Sequence, residues 1–148
     1  MVNPLETAFP ALTKRGYLIT SPVNSDYNCI AWAFGDASRW WWPGPDLVQE
    51  YWPPDAPRET TLTAFQAAFG LLGYVPCEKD DLEPSFEKIA LFADASDVPK
   101  HAARQLITGR WTSKLGRMED IEHDLRDLEG SVYGKVVLIL KRAATASA

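Results

Sequence analysis

Prolines interrupt a tryptophan-rich stretch between Arg39 and Pro57. This stretch contains Trp40-Trp41-Trp42-Pro43-Gly44-Pro45 and, a few residues later, Tyr51-Trp52-Pro53-Pro54. Because proline lacks a backbone N–H donor and fixes its own φ angle, the stretch cannot form a long helix or a central strand. The sequence therefore predicts an ordered loop, held in place by its aromatic side chains, between two helical segments.

The composition is that of one compact domain. A chain of 148 residues can bury a core without disulfides or metals and is too short for two ordinary domains. The net charge of −5 and the scattered basic residues argue against nucleic-acid binding. No apolar run approaches the roughly 20 residues that span a bilayer, and residues 1–10 lack the features of a signal peptide. We expect no membrane association, and a cytoplasmic location or export without a recognisable signal peptide.

The chain has two cysteines, Cys29 and Cys77, and two histidines, His101 and His123. These four residues are too few and wrongly spaced for a structural zinc site, so we expect no metal and no cofactor. Because nothing indicates secretion, free thiols are favoured over a disulfide. Cys77 is interpreted as a small buried hydrophobic residue.

Cys29 stands where polar residues give way to an apolar run. The polar residues 25–28 precede it, Ile30-Ala31-Trp32-Ala33 follows, and Gly35 supplies a helix stop. At a helix N-terminus the unpaired N–H groups and the helix dipole favour thiolate over thiol, which makes a cysteine nucleophilic. The competing interpretation is a structural thiol buried on an amphipathic helix.

The remaining elements follow from turn signals and apolar spacing. A second helix begins at Thr60 or Thr61 and ends before Gly73. Ile121, Leu125 and Leu128 suggest a short helix that ends at Gly130 and leaves His123 in solvent. Residues before the first strand form an extended lead-in. The predicted strands are Tyr17–Thr20, Lys88–Ala93, His101–Leu106, Arg110–Gly116 and Tyr133–Lys141, with Thr108-Gly109 as a hairpin turn.

Asn28-Cys29-Ile30-Ala31-Trp32-Ala33 resembles the nucleophile helix of the papain-like superfamily. It is nearest to the NlpC-type peptidases and CHAP amidases, and is also similar to uncharacterised bacterial domains with Asn-Cys-x-Ala-Trp-Ala and Trp-x-Ser-Lys-x-Gly. In these families a later histidine opens a strand, and a polar residue on the next strand orients it. His101 and Ser113 stand at the matching positions, where serine departs from the usual His, Asn, Gln or Asp.

The resemblance covers roughly residues 25–141 and implies a fold. That fold is α+β and papain-like, of the NlpC or CHAP type, with N-terminal helices packed on a small antiparallel sheet. It would form one domain over residues 1–142, followed by a disordered tail at 143–148.

The resemblance also implies acyl transfer through a covalent thioester. Cys29, held as a thiolate beside a protonated His101, would attack an amide carbonyl, and His101 would return the proton to the departing amine. The backbone N–H of Cys29, with Asn28 or Asn24, would stabilise the oxyanion. The substrate would be a peptide, peptidoglycan or a protein side chain, and the protein a hydrolase or acyltransferase such as a bacterial effector, a toxin or an intracellular amidase.

The group that orients His101 has several candidates. Ser113 is at the matching position, and Glu119, Asp120 or a backbone carbonyl could provide the same hydrogen bond.

A second hypothesis is a catalytically inactive module of the same fold that binds a protein partner through the tryptophan-rich loop. Trp41 and Trp42 are the candidate substrate-binding residues, because flat rings offer a large contact area at low entropic cost. The competing interpretation is that these rings only pin the loop to the domain. The serine at position 113 favours the binding module, and the pair of Cys29 and His101 favours the enzyme.

Overall fold

The computed structural model describes residues 4–115 and 119–144, so residues 145–148 of the predicted tail lie outside the described residues. A seven-stranded antiparallel sheet forms its centre, in the order β1-β6-β5-β4-β3-β7-β2. The strands are β1 Leu18–Ser21, β2 Val75–Cys77, β3 Phe86–Ala93, β4 Pro99–Gln105, β5 Trp111–Lys114, β6 Asp120–His123 and β7 Lys135–Ala143. The helices are α1 Pro4–Ala8, α2 Leu12–Arg15, α3 Cys29–Phe34, α4 Leu62–Gly70 and a 3-10 helix at Leu125–Leu128.

The predicted papain-like α+β fold, with helices packed on a small sheet, is wrong. The sheet is the main element, because β1 and β6 extend it at one edge and β2 at the other. The helices are short, six residues in α3 and nine in α4, and do not form a helical layer. The segment around Ile121, predicted as a helix, pairs with both β5 and β1. Sheet pairing therefore overrode an apolar spacing that matches a helix.

Several local predictions are confirmed. The helix at Cys29 ends at Gly35, which has a φ of +85° and a left-handed conformation. The side chain of Thr61 caps α4 by accepting the N–H of Ala64. Gly109, with a φ of +92°, turns the chain between β4 and β5. The predicted extended lead-in is wrong, since α1 and α2 occupy it.

The two faces of the sheet carry different apolar clusters. On one face α3, α4 and the aromatic loop pack over residues that include Leu91 and Ala102. On the other face α1, α2 and the 3-10 helix pack over residues that include Phe92 and Ala103. Because side chains alternate along a strand, neighbours on β4 belong to opposite faces.

The pairing between β4 and β5 is short. Within the described residues these strands pair at two positions, Arg104 opposite Thr112 and Gln105 opposite Trp111. β4 continues to pair with β3 as far as His101 and Pro99, and β5 continues to pair with β6. The start of β4 therefore faces β5 without ladder hydrogen bonds.

Gly134 precedes β7 and lies against the end of β3. Its φ is +77°, and an added Cβ would overlap the carbonyl oxygen of Ala93. Gly134→Ala should therefore destabilise the protein by more than the roughly 1–3 kcal/mol of backbone strain alone, measured by urea denaturation. Gly70→Ala is the matched control, because an added Cβ there meets nothing within 4 Å. Equal unfolding free energies for the two variants would contradict this reading of the turn.

Candidate functional site

Asn28 fastens the start of α3 to the aromatic loop. Its side-chain oxygen accepts the N–H groups of Ala31 and Trp41, each at 3.1 Å, and its side-chain nitrogen donates to the carbonyl of Trp41 at 2.7 Å. Asn28 is buried. The side chain thus has a structural role that the sequence did not indicate, and its role as an oxyanion donor stays a prediction.

The Cys29 thiol lies at the N-terminus of α3, facing the backbone N–H groups of Cys29, Ile30 and Ala102. Burial raises the pKa of this thiol to about 11, although these N–H groups and the charge of Lys114 act in the opposite direction. Cys29 is only 6% exposed. At neutral pH it is therefore a neutral thiol, because desolvation outweighs the helix terminus that favours the thiolate.

A pocket of about 310 Å³ opens beside Cys29. Its walls include the rings of Trp40, Trp42 and Tyr133, and Glu50 and Lys100 add one charge of each sign. The pocket is thus largely aromatic and has the Cys29 thiol in its lining.

The two tryptophans predicted to bind substrate have different positions. Trp42 lines the pocket and also packs edge-on against Phe65. Trp41 is 8% exposed, stacks on Phe34 at 4.2 Å between ring centroids and donates its indole N–H to Asp36 at 2.7 Å. Trp40, which was not predicted to bind substrate, lines the pocket instead of Trp41.

A larger cavity of about 880 Å³ lies along the loops that follow β3 and precede β7. It shares Lys100 with the Cys29 pocket, but neither a cysteine nor a histidine lines it. Of these two cavities, the smaller one therefore has the Cys29 thiol in its lining.

His101 is fully buried on β4. Its ring stacks on Tyr133, with centroids 4.0 Å apart and planes 10° apart, and meets Phe92 edge-on. Tyr133 and Cys29 line the same pocket. Burial raises the pKa of Tyr133, and a charge on Cys29 would raise it further. One aromatic side chain thus neighbours both the thiol and the imidazole.

The structure brings Cys29 to the backbone of β4 beside His101. It does not bring Cys29 to the imidazole ring of His101. The thiol faces the N–H of Ala102, whereas strand alternation places the His101 ring on the other face of the sheet. Nδ1 of His101 is buried and has no hydrogen-bond partner among the described residues. The thiol and the imidazole therefore lie on opposite faces of the sheet and are not hydrogen-bonded to each other.

His101 and Ser113 do come together. Nε2 of His101 lies 2.9 Å from Oγ of Ser113. The same oxygen lies 2.7 Å from Nε2 of His123, whose Nδ1 is 2.8 Å from the carbonyl oxygen of Asp124. Three adjacent strands, β4, β5 and β6, thus supply a continuous row of hydrogen bonds.

His123 was expected in solvent, and that expectation is wrong because it is fully buried. The error follows from the helix predicted around Ile121. On a strand, Ile121 and His123 point to the same face, so an alternating pattern would have placed both in the core.

Both histidines are neutral at pH 7. Burial, with a contribution from His123, lowers the pKa of His101 well below 6.5. Burial also lowers the pKa of His123 to about 4, although the bond to the Asp124 carbonyl partly opposes it. The thiolate–imidazolium pair expected from the sequence is therefore not favoured in this structure.

The other candidate orienting groups do not bond to His101 in the structure. Asp120 accepts a hydrogen bond of 2.6 Å from the hydroxyl of Tyr27. Burial and this bond raise the pKa of Tyr27 to about 12. One side-chain oxygen of Glu119 is buried without a hydrogen-bond partner in the part of the chain that the structure describes. Lys114, which the sequence analysis did not select, is buried with its Nζ 5.1 Å from the centre of the Tyr27 ring.

Comparison with protein families finds one match, to the family described as "Domain of unknown function (DUF7689)", over residues 18–141. The chain belongs to this family. Comparison with curated proteins and with solved structures finds no match. The matched residues run from β1 almost to the end of β7, so the DUF7689 domain includes Cys29, His101, Ser113 and His123.

Residues 4–115 and 119–144 of the DUF7689 chain contain no group of three or more His, Cys, Asp or Glu side chains that could hold a metal ion. The same residues contain no helix long and apolar enough to cross a membrane.

The buried histidines of this DUF7689 protein should make its stability depend on pH. Unfolded histidine titrates near pH 6.5, whereas folded His101 and His123 titrate at lower pH. Below pH 6.5 the unfolded chain therefore binds protons that the folded chain does not. The free energy of unfolding should fall between pH 6.5 and about 4.5 by about 1.4 kcal/mol per pH unit for each histidine.

Urea denaturation at several pH values between 7.5 and 4.5 measures this slope. His123→Asn is the control, because it removes one of the two titrating rings and should give a shallower slope. A wild-type slope no steeper than that of the variant would contradict the assignment.

Proposed function

We propose that this protein is a thiol-dependent hydrolase or acyltransferase that acts on an amide bond of a peptide or protein, with Cys29 as the nucleophile and His101 as the base. The observation that carries the proposal is Nδ1 of His101, which is buried without a hydrogen-bond partner among residues 4–115 and 119–144. An unpaired polar atom in a core costs free energy, so its presence in a native site calls for an explanation. Accepting the proton of a thiol is a function that requires such a free nitrogen.

The opening between β4 and β5 supports this pairing. Ala102 has no ladder partner on β5, and its N–H faces the Cys29 sulfur instead. The sulfur and the imidazole are therefore separated at a point where the side-chain bond from His101 to Ser113, and no backbone pairing, joins β4 to β5. Catalytic hydrogen bonds commonly tighten only when substrate is bound, so we expect the thiol and Nδ1 to meet in the substrate complex.

Because both groups start neutral, proton transfer accompanies the attack. The S–H proton of Cys29 moves to Nδ1 of His101 while sulfur bonds to the carbonyl carbon and the carbonyl π electrons move to oxygen. The N–H groups near the sulfur are the available donors to this oxyanion. Breaking the C–N bond then releases the amine, which takes the proton from Nδ1, and leaves a thioester.

Water or a second amine completes the reaction by attacking the thioester. His101 accepts its proton and passes it to the sulfur as the C–S bond breaks, which regenerates the thiol. Water as the acceptor gives hydrolysis and an amine gives transfer, and the same two side chains serve both.

The pocket supports a peptide or protein substrate. The rings of Trp40, Trp42 and Tyr133 suit an apolar or flat group beside the reacting carbonyl, and Glu50 and Lys100 can pair with polar atoms of the chain. Nucleic acid is not proposed as a partner, because the net charge is −5 and phosphate binding needs clustered basic residues.

A second candidate function is a non-enzymatic module that binds a protein partner. The neutral, nearly buried thiol favours it, as does the position of Trp40 and Trp42 around an open pocket. In such a module the rings would carry the function and the sulfur would be dispensable.

Labelling with an electrophilic peptide probe tests the catalytic proposal. In a Cys77→Ser background, peptide acyloxymethyl ketones with varied apolar residues should alkylate Cys29, and intact-mass spectrometry gives the rate. His101→Gln removes Nδ1 but keeps an N–H that can donate to Ser113. This variant should lower the rate by at least about 100-fold, as expected for loss of a general base.

Two controls make the result decisive. Cys29→Ser should give no adduct, and urea-unfolded protein gives the rate of an unassisted thiol. If Cys29 reacts equally fast with His101 and with Gln at that position, the enzyme proposal fails and the binding module is favoured.

A further inference from the structure

We propose that His123 is a positioning residue, which acts through Ser113 to keep the proton of His101 on Nε2 and the lone pair on Nδ1. The catalytic meaning of this inference rests on the proposed function. The proton positions themselves follow from the hydrogen-bond geometry of the three strands.

The carbonyl of Asp124 determines which nitrogen of His123 carries the proton. Its Nδ1 lies 2.8 Å from the carbonyl oxygen of Asp124, and a carbonyl oxygen can only accept. Nδ1 of His123 therefore carries the proton. A neutral imidazole has one N–H, so Nε2 of His123 has a lone pair and must accept.

The hydroxyl of Ser113 lies between His123 and His101 and determines which nitrogen of His101 carries the proton. Its Oγ lies 2.7 Å from Nε2 of His123 and has one hydrogen, which it donates to that acceptor. Only lone pairs of Oγ then remain for His101, 2.9 Å away, so Nε2 of His101 must donate. The single proton of neutral His101 is thereby placed on Nε2, and Nδ1 has a lone pair.

This direction of donors is the one that a general base at His101 needs. Nδ1 is the unpartnered nitrogen, and with a proton there the ring could not accept the hydrogen of the thiol. When Nδ1 gains a proton, the bond from Nε2 to Ser113 becomes charge-assisted and stronger. A serine alone could donate or accept towards His101, because its hydroxyl rotates, and His123 removes this ambiguity.

The chain has only two histidines, so its imidazole nitrogens can be resolved directly. Protein labelled with ¹⁵N-histidine is measured by NMR at pH 7.5, with long-range couplings that separate protonated from unprotonated ring nitrogens. We expect His101 to be protonated at Nε2 and His123 at Nδ1. A proton on Nδ1 of His101, or both rings in the same tautomer, would overturn the inference.

Two substitutions at His123 form a matched pair. His123→Asn keeps an N–H that can reach the Asp124 carbonyl but removes the acceptor for Ser113, so the hydroxyl becomes free to donate to His101. The proton of His101 should then move to Nδ1, and probe labelling of Cys29 should slow by at least about tenfold. His123→Gln can place an amide oxygen where Nε2 was, so both the tautomer and the labelling rate should stay near wild type. Identical behaviour of the two variants would overturn the inference.

Ser113→Ala provides a second route if His123→Asn does not fold. Without the hydroxyl, neither nitrogen of His101 is selected by this row of bonds, so both tautomers should be present. Retention of the Nε2–H form alone would show that His123 does not set the tautomer through Ser113.

The two proposals can fail separately. If the tautomers are as expected but Cys29 labelling does not depend on His101, the hydrolase proposal fails and the positioning effect of His123 stands. If labelling depends on His101 but its proton is on Nδ1, the positioning inference fails and the hydrolase proposal stands.

Discussion

The side chain of Asn28 makes the hydrogen bonds on which the candidate site depends. One oxygen caps the helix that Cys29 begins, and the same amide group bonds both the N–H and the carbonyl of Trp41. These bonds hold the aromatic loop beside the thiol. They are needed because the prolines of the loop prevent a long helix or a central strand from holding it there. Because buried polar groups are expensive to leave unpaired, the helix start and the loop are held as one unit. The pocket between Cys29 and Trp42 is a result of that connection.

Burial determines the chemical state of this site. The thiol and both imidazoles are kept neutral, although the helix terminus and Lys114 favour a charged sulfur. The proposed reaction would therefore start from a neutral thiol and a neutral imidazole, with proton transfer during attack, rather than from a stable ion pair.

Features set by local backbone chemistry were predictable from the sequence. The cap at Thr61, the stop at Gly35 and the turn at Gly109 each depend on a few neighbouring residues, and the structure has all three. The strand at Ile121 was mistaken for a helix, because only its partners β1 and β5 distinguish the two. The order of His101 and Ser113 along the chain predicted that the two side chains interact, and they lie 2.9 Å apart, whereas their catalytic roles stay a prediction. The face of β4 that carries the His101 ring, and the row of bonds to His123, depend on strand pairing and could not be predicted.

The most direct test of the account is a crystal structure of the protein treated with a peptide aldehyde, which forms a reversible hemithioacetal with a nucleophilic cysteine. The account predicts a bond between the Cys29 sulfur and the aldehyde carbon, with the resulting oxygen near the N–H of Cys29. It also predicts that Nδ1 of His101 lies within about 3 Å of the adduct. An adduct that leaves Nδ1 without a partner on the far side of β4, or no adduct at Cys29, would contradict the pairing of thiol and imidazole.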